Sequence, residues 1–416
     1  MAKIKKFKFL FSFLTVTVSL LFFACGGGGG SDSSGGPITV KDGYYSFAEF
    51  QTALESAEDG DVFELKYSFT NDGTESLADN FEQVRVAILT AQKKIVLDLS
   101  EAKDITEIPN NAFYKNAAGN NLIYLTEIIL PTAGVLSIGE RAFQNCSSIE
   151  GIDIPSTVLS IGQYAFASCD KLENIEIPEG VLTIGQRLFY RCSSLKSAKI
   201  PTGVTIIPNY VFSDCVNLES VDIPNGVNEI GEGVFYNCKM LESVEIPLTV
   251  SILGGANGGV FQDCIKLKTV NIPAGVSIIG SNNFRNCGEL ESIELPSTIK
   301  SIGNYAFQDC GKLASINIPD DVTTIGISAF ITCGSLETIT IPSKVTNIGS
   351  SAFYFCRKLV TVTVLALTPP TLGSTSTFEQ NASGRVIIVP AGTGDTYRGA
   401  YNWSTFASSI KGVDEP

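Results

Sequence analysis

The chain has 416 residues, 44% of them apolar and 17% charged, with a formal net charge of −14 and no histidine. Without imidazole it lacks the commonest general base, metal ligand and pH switch. The acidic balance argues against a nucleic-acid partner, whose phosphates need a basic face.

In chain order, Lys3, Lys5, Lys6 and Lys8 precede an apolar run from Phe9 to Phe23. That run is short of the roughly 20 residues a membrane-spanning helix needs, so residues 1–24 read as a signal peptide. The segment Leu21-Phe22-Phe23-Ala24-Cys25 resembles the lipobox of bacterial lipoproteins, with Phe22 where Leu is usual. That resemblance implies lipidation of Cys25, which becomes the mature N-terminus. It also implies membrane attachment through the lipid and a place in the cell envelope, at the outer surface or outer membrane of a bacterium. The alternative is a simple secretory signal cut near Ala24, which leaves Cys25 an exposed thiol. Residues 25–36, with Gly26 to Gly30 and Ser31-Asp32-Ser33-Ser34, read as a flexible tether.

Residues 37–95 read as an N-terminal cap. Ser46-Phe47-Ala48-Glu49 fits a capping box, and Phe47, Phe50, Leu54 and Ala57 follow at helical spacing. Asp61 to Lys66 reads as a strand, Leu77, Phe81, Val84 and Ile88 mark a second helix, and Ile95 to Leu99 a second strand.

A repeat occupies residues 96–384. Cys146, Cys169, Cys192, Cys215 and Cys238 are 23 apart, as are Cys264, Cys287, Cys310, Cys333 and Cys356; the step between the two sets is 26. A Phe stands three residues before each, from Phe143 to Phe353. In the unit after Cys169, Leu172-x-x-Ile175-x-Ile177 has the spacing of a leucine-rich-repeat strand. Ile175 and Ile177 point inward, and Pro178 ends the strand because it has no N–H to donate. Val181 and Ile184 return to the core. Gly185 is expected to ease a tight turn, although Pro208 takes that place in one coil. The Ala165-Phe166 type of segment is expected to form a helical turn. One coil cannot bury its apolar side alone, so stacked coils must share a core. Leu97, Leu99, Ile105, Ile108 and Phe113 follow the template with Asn116 in place of Cys, and Phe378 and Asn381 do the same at the far end. A further imperfect coil, Leu125-x-x-Ile128-x-Leu130-Pro131, leads into the regular set. In residues 385–416, Val386 to Val389 reads as a strand, and Tyr397, Tyr401, Phe406 and Ile410 line a closing helix containing Trp403.

The repeat resembles the BspA-like leucine-rich repeats of bacterial surface proteins. Their units run Leu-x-x-Ile-x-Ile-Pro and then Ile-Gly-x-x-Ala-Phe-x-x-Cys. Cys310 to Phe330 and Cys333 to Phe353 match it closely, and the resemblance covers about residues 96–410. Thr368-Pro369-Pro370 and Val389-Pro390-Ala391-Gly392 look like that family's C-terminal end. The implied fold is an α/β repeat solenoid: a right-handed leucine-rich-repeat coil with short parallel strands on its concave face, capped at both ends. The implied function is a surface-anchored scaffold for protein–protein binding, adhering to host or extracellular-matrix proteins. The alternative is a non-catalytic coat or spacer lipoprotein of the cell envelope.

No catalytic set, cofactor or metal site is expected. There is no P-loop, no strand-linked G-x-G-x-x-G and no C-x-x-C. The ten repeat cysteines lie within disulfide range of their neighbours, but with parallel Cβ vectors they read as a buried apolar spine. The expected ligand face is a column of outward strand residues: Glu150, Asp153, Glu173, Glu176, Glu219, Asp222, Glu242, Glu245, Glu291 and Glu294, with Glu337 beyond and Lys196, Lys199 and Lys268 interrupting it. Like charges about 5 Å apart repel, so interleaved lysines, cations, a basic partner or plain solvation must offset them. The insertion Leu253 to Gly259 reads as a hinge, a contact loop or a tolerated slip.

Overall fold

The first described elements alternate strand and helix. The computed structural model describes residues 40–44, 46–65, 76–114 and 122–415. The expected signal peptide, Cys25, the expected glycine tether, Lys66 and Asn116 lie outside them. The described residues belong to one compact unit. Among them no helix is long and apolar enough to cross a membrane.

Helix α1, Phe47–Glu55, starts at a complete capping box: Ser46 Oγ accepts from the Glu49 amide and Glu49 returns the bond. Helix α2, Leu77–Ala91, has a second box from Ser76 and Asp79. Strand Asp61–Leu65 runs between them and Ile95–Asp98 follows α2; both join Val40–Tyr44 and Leu125–Ile129 in one parallel four-stranded sheet. The sheet of the N-terminal elements thus runs directly into the repeat strands, since Ile128 bridges Ile152 of the next coil. Arg85 on α2 is buried and donates through Nη1 to the carbonyls of Asn111 and Tyr114.

Each regular coil is hydrogen-bonded to its neighbours on three sides. On the first side, Ser197–Lys199 pairs in parallel with Asn174–Glu176 and Ser220–Asp222. Ala198 and Ile175 face inward while the residues flanking them are exposed. The second side is a ladder the sequence did not announce. Two-residue strands such as Thr183–Ile184, Ile206–Ile207 and Glu229–Ile230 pair in parallel from coil to coil, each with a buried aliphatic residue.

The third side corrects an expectation: Ala165-Phe166 forms no helical turn. Tyr164 (φ 56°) and Ser168 (φ 57°) are left-handed, which a right-handed helix does not admit. The amides of Tyr164, Phe166 and Ser168 donate to Gln186, Leu188 and Tyr190 of the next coil at 3.0, 3.0 and 2.7 Å. The intervening amides of Ala165, Ala167 and Cys169 turn back within their own coil. A helix would have kept all of these bonds inside one segment; the alternation sends every second one to a neighbour.

Two inner columns follow from this stacking. The phenyl rings from Phe113 to Phe378 stack with centroids 5.2–5.8 Å apart, each pair adding about 0.5–1.5 kcal/mol beyond its burial. At the ends the stack meets edges: Phe81 of α2 lies at 89° to Phe113, and Phe406 at 82° to Phe378. The cysteines are buried and free. They are more than apolar filler, because Sγ of Cys169 through Cys356 donates to the Phe carbonyl of the preceding coil at 3.0–3.3 Å. Asn381 makes the same bond, Nδ2 to the Phe353 carbonyl at 2.7 Å.

The glycine before the turns also departs from expectation. Gly185 has no left-handed φ; a Cβ there would lie 2.2 Å from the Gln163 backbone nitrogen. Its role is close approach of coils, not turn geometry.

The C-terminal residues do not form the single closing helix expected. Helix α3, Gly394–Gly399, stops before Asn402 (φ 65°), a 3-10 turn spans Trp403–Ser409, and Ile410–Gly412 is a strand pairing with Val386–Val389. Tyr401 is 86% exposed, whereas Tyr397 and Trp403 are buried and donate to the carbonyls of Ala366 and Pro370 at 2.6 and 2.7 Å.

Candidate functional site

The ten carboxylates singled out from the sequence are all exposed and all lie on or beside the first-side strands. Charge gathers at two of the exposed places in a coil, four and seven residues after its Cys. Through seven coils the first place reads Glu150, Glu173, Lys196, Glu219, Glu242, Lys268, Glu291. The second reads Asp153, Glu176, Lys199, Asp222, Glu245, Asn271, Glu294. In-register parallel pairing puts Lys199 between Glu176 and Asp222.

The lysines consume part of the acidity. Lys196 Nζ reaches Glu173 at 2.7 Å and Lys268 reaches Glu242 at 2.8 Å, each pairing with the coil before it. Hydrogen bonding to those acids raises both lysine pKa values. Lys199 turns away to Glu179, whose carboxyl also accepts from Thr202 and is held down to about 2. Lys171 sits 3.7 Å from Glu150. Among the described residues, Asp153, Glu176, Glu219, Asp222, Glu245, Glu291 and Glu294 form no ion pair. Over these seven coils the face is therefore acidic; beyond them the same places hold Ala314, Asn317, Glu337, Thr340, Val360 and Thr363. At its N-terminal end, desolvation of the Glu127 carboxyl, with the charges of Asp153, Asp98 and Glu150, raises its pKa. No cluster of three or more potential metal ligands occurs among the described residues. Burial pushes the Cys192 and Cys356 thiols up to about 12, which disfavours the reactive thiolate.

A second feature lies on the turn side and was not read from the sequence. The left-handed residue two before each Phe forms a column, and Arg141, Tyr164, Arg187 and Tyr210 alternate along it. The Arg187 guanidinium lies 5.5 Å from the Tyr164 ring and 4.6 Å from the Tyr210 ring, and Arg141 lies 5.1 Å from Tyr164. The next two places are Gly233 and Gly259, and there the column opens into a pocket of about 420 Å³. The insertion forms part of its wall through Asn257, Gly258 and Gly259. Its backbone is tied both to itself and to the next coil. Gly258 N bonds Gly254 O, Ser281 N bonds Ala256 O, and fully buried Asn283 reaches the Leu253 carbonyl and the Val260 amide. The signal available in the sequence was the 26-residue step together with the paired glycines at one repeat position.

Comparison with known proteins places these observations. A family model described as a BspA type leucine rich repeat region matches residues 136–257 and 256–381. Among solved structures, the chain is similar to a leucine rich cell surface protein from Faecalibacterium prausnitzii (26% identity, 71% of this chain and 86% of that one, TM-score 0.47). It is also similar to a leucine-rich repeat protein from Bacteroides ovatus (26% identity, 75% and 88%, TM-score 0.48). A third is a leucine rich repeat protein of T. pallidum (29% identity, 47% and 78%, TM-score 0.34). No curated protein gives a match.

Proposed function

We infer, from the premise that this chain belongs to the BspA-type leucine-rich-repeat family, that it is a surface-displayed scaffold binding a protein partner through its strand face. The observation that carries the reading is the unpaired acid on that face. Seven carboxylates on or beside its strands form no ion pair among the described residues, with Glu176 and Asp222 in register on one parallel sheet. Repulsion among them is relieved most by a partner bearing lysine or arginine, which also speeds encounter. Host or matrix proteins with basic patches fit that requirement, so adhesion is the role we assign. Display at the outer surface of the envelope, tethered by a lipid on Cys25, completes the proposal. The reading is non-catalytic and needs no cofactor.

A spacer without a ligand is the competing reading, favoured by the near-identical Glu-Ser pattern of successive coils, as at Glu219-Ser220 and Glu242-Ser243. The full chain, purified in detergent, separates the two against a panel of extracellular-matrix proteins. Saturable binding to at least one supports adhesion; binding to none supports the spacer. Separately, Cys25→Ala is expected to move the protein from the membrane to the soluble fraction. Retention of this variant on membranes contradicts the lipid anchor.

A further inference from the structure

We propose that the pocket on the turn side is a second binding site, one that takes a neutral oligosaccharide. Three observations lead there. The pocket is built rather than left over. Wherever the column is filled, Arg, Tyr, Asn or Ser stands two before the Phe; the consecutive Gly233 and Gly259 remove two such side chains. A Cβ on Gly233 would lie 2.4 Å from the Tyr210 ring, so a side chain here would displace that ring. The inserted loop forms the wall and is pinned to the next coil through Asn283.

The lining has the chemistry of a sugar site. Tyr190, Tyr210 and Tyr236 offer hydroxyls and ring surface, although Arg187 covers a face of Tyr210 and Arg191 a face of Tyr190, and Asn257 and Gln262 offer amides that both donate and accept. A pyranose presents apolar C–H faces to the first set and a rim of hydroxyls to the second. Like any tyrosine near neutral pH, Tyr236 keeps its hydroxyl proton and is a donor; burial, with Asp263 and Asp214, pushes its pKa further up against the pull of Arg285. Asn237 Nδ2 donates to the Asp214 carboxylate at 2.7 Å, which holds one of its oxygens in place. The volume falls within the ~300–1,000 Å³ of small-molecule sites, room for a short saccharide.

The charges select against other classes. Asp214 and Glu232 face the pocket against one guanidinium, Arg187. That guanidinium is already held over two rings and donates to the Tyr164 hydroxyl at 2.9 Å. Phosphates, sialic acids and other anions therefore meet two carboxylates, while the Arg187 guanidinium is already engaged and Arg285 acts only from the Tyr236 side. A wholly apolar ligand would strand the carboxylates and amides without partners. The site lies on a different side of the coil from the strand face, so it stands or falls independently of the partner proposed there.

The test uses the full chain in a sugar-free zwitterionic detergent. Titration calorimetry and saturation-transfer NMR are run with cello-, xylo-, malto-, manno- and laminari-tetraose, and with sialyllactose as the anionic comparison. At least one neutral tetrasaccharide is expected to bind saturably. Gly259→Arg should weaken it at least tenfold by filling the gap. The fold has a precedent for this change, because Arg141 and Arg187 occupy the equivalent left-handed position. Tyr236→Phe, which removes one hydroxyl, should weaken it severalfold without changing thermal stability. Binding of none of the neutral sugars, undiminished binding by both variants, or preference for sialyllactose overturns the proposal.

Discussion

At the scale of single residues, the repeat positions are set by contacts between coils. The Cys column reads from sequence as small apolar spine, and it is buried as that reading requires. What the sequence does not display is the direction of each S–H, aimed at a carbonyl one coil back. Asn381 shows why a polar residue can take the place at an end: it keeps the donor and gives up only apolar burial. The glycines teach the same lesson. Gly326 has no room for a Cβ, which would lie 2.4 Å from the Gly303 carbonyl carbon, whereas nothing lies within 4 Å of one on Gly334. Gly326→Ala is therefore expected to cost about 2 kcal/mol or more through forced backbone separation. Gly334→Ala should stay within about 0.5 kcal/mol. Denaturant titration of the two variants checks this, and equal costs would show that the glycine position is not a steric requirement.

At the scale of elements, local signals were legible and non-local ones were not. Period-two alternation marks the strand Asn174–Glu176, and capping residues with helical spacing mark α1. Both patterns are written within one segment. The turn side was misjudged because Ala165-Phe166 resembles a helical fragment in isolation, while its conformation is decided by carbonyls of the following coil. The second ladder, with two residues per strand, is too short to show a period at all. The closing segment failed similarly: Tyr397, Tyr401, Phe406 and Ile410 fit a helical spacing, but the open sheet edge of Val386–Val389 recruits Ile410–Gly412 as a strand.

The junction of the N-terminal sheet with the repeats yields a pH-dependent expectation. Glu127 is raised in the folded state by desolvation and by Asp153, Asp98 and Glu150. A carboxyl raised on folding costs nothing while both states are protonated. It becomes destabilising as pH climbs from its unfolded value, about 4.3, through the folded one, and stays so above. Glu127→Gln is thus expected to raise the melting temperature at pH 7 and to leave it unchanged near pH 4. A melting temperature lowered at pH 7 would mean that the charge is compensated in place.

At the scale of the whole molecule, stacked coils carry one continuous core, with aromatic edges closing the Phe stack at both ends. Such a solenoid leaves its outward strand residues unconstrained by packing, and these are where acid accumulates. The positions of the acidic residues on the strands were readable from repeat spacing alone. Which of them are neutralised was not, because pairing such as Lys196 with Glu173 depends on the step between coils. The turn-side pocket was hidden for a related reason: it consists of side chains missing from a column that is visible only when coils are superposed.

The claim that the strand face receives the partner is tested most directly by charge reversal there. Glu176→Lys, Asp222→Lys, Glu245→Lys and Glu294→Lys combined leave the core untouched, and Lys199 already occupies the equivalent place in one coil. Exposed charge pairs contribute about 0.2–1 kcal/mol each, so losing four should weaken binding about tenfold or more. The measurement is the dissociation constant of the panel protein that binds, for wild type and variant, at low and at physiological salt. The expected result is wild-type affinity that falls with salt and an at least tenfold loss in the variant. Equal, salt-insensitive affinities for the two proteins would contradict the assignment of the strand face.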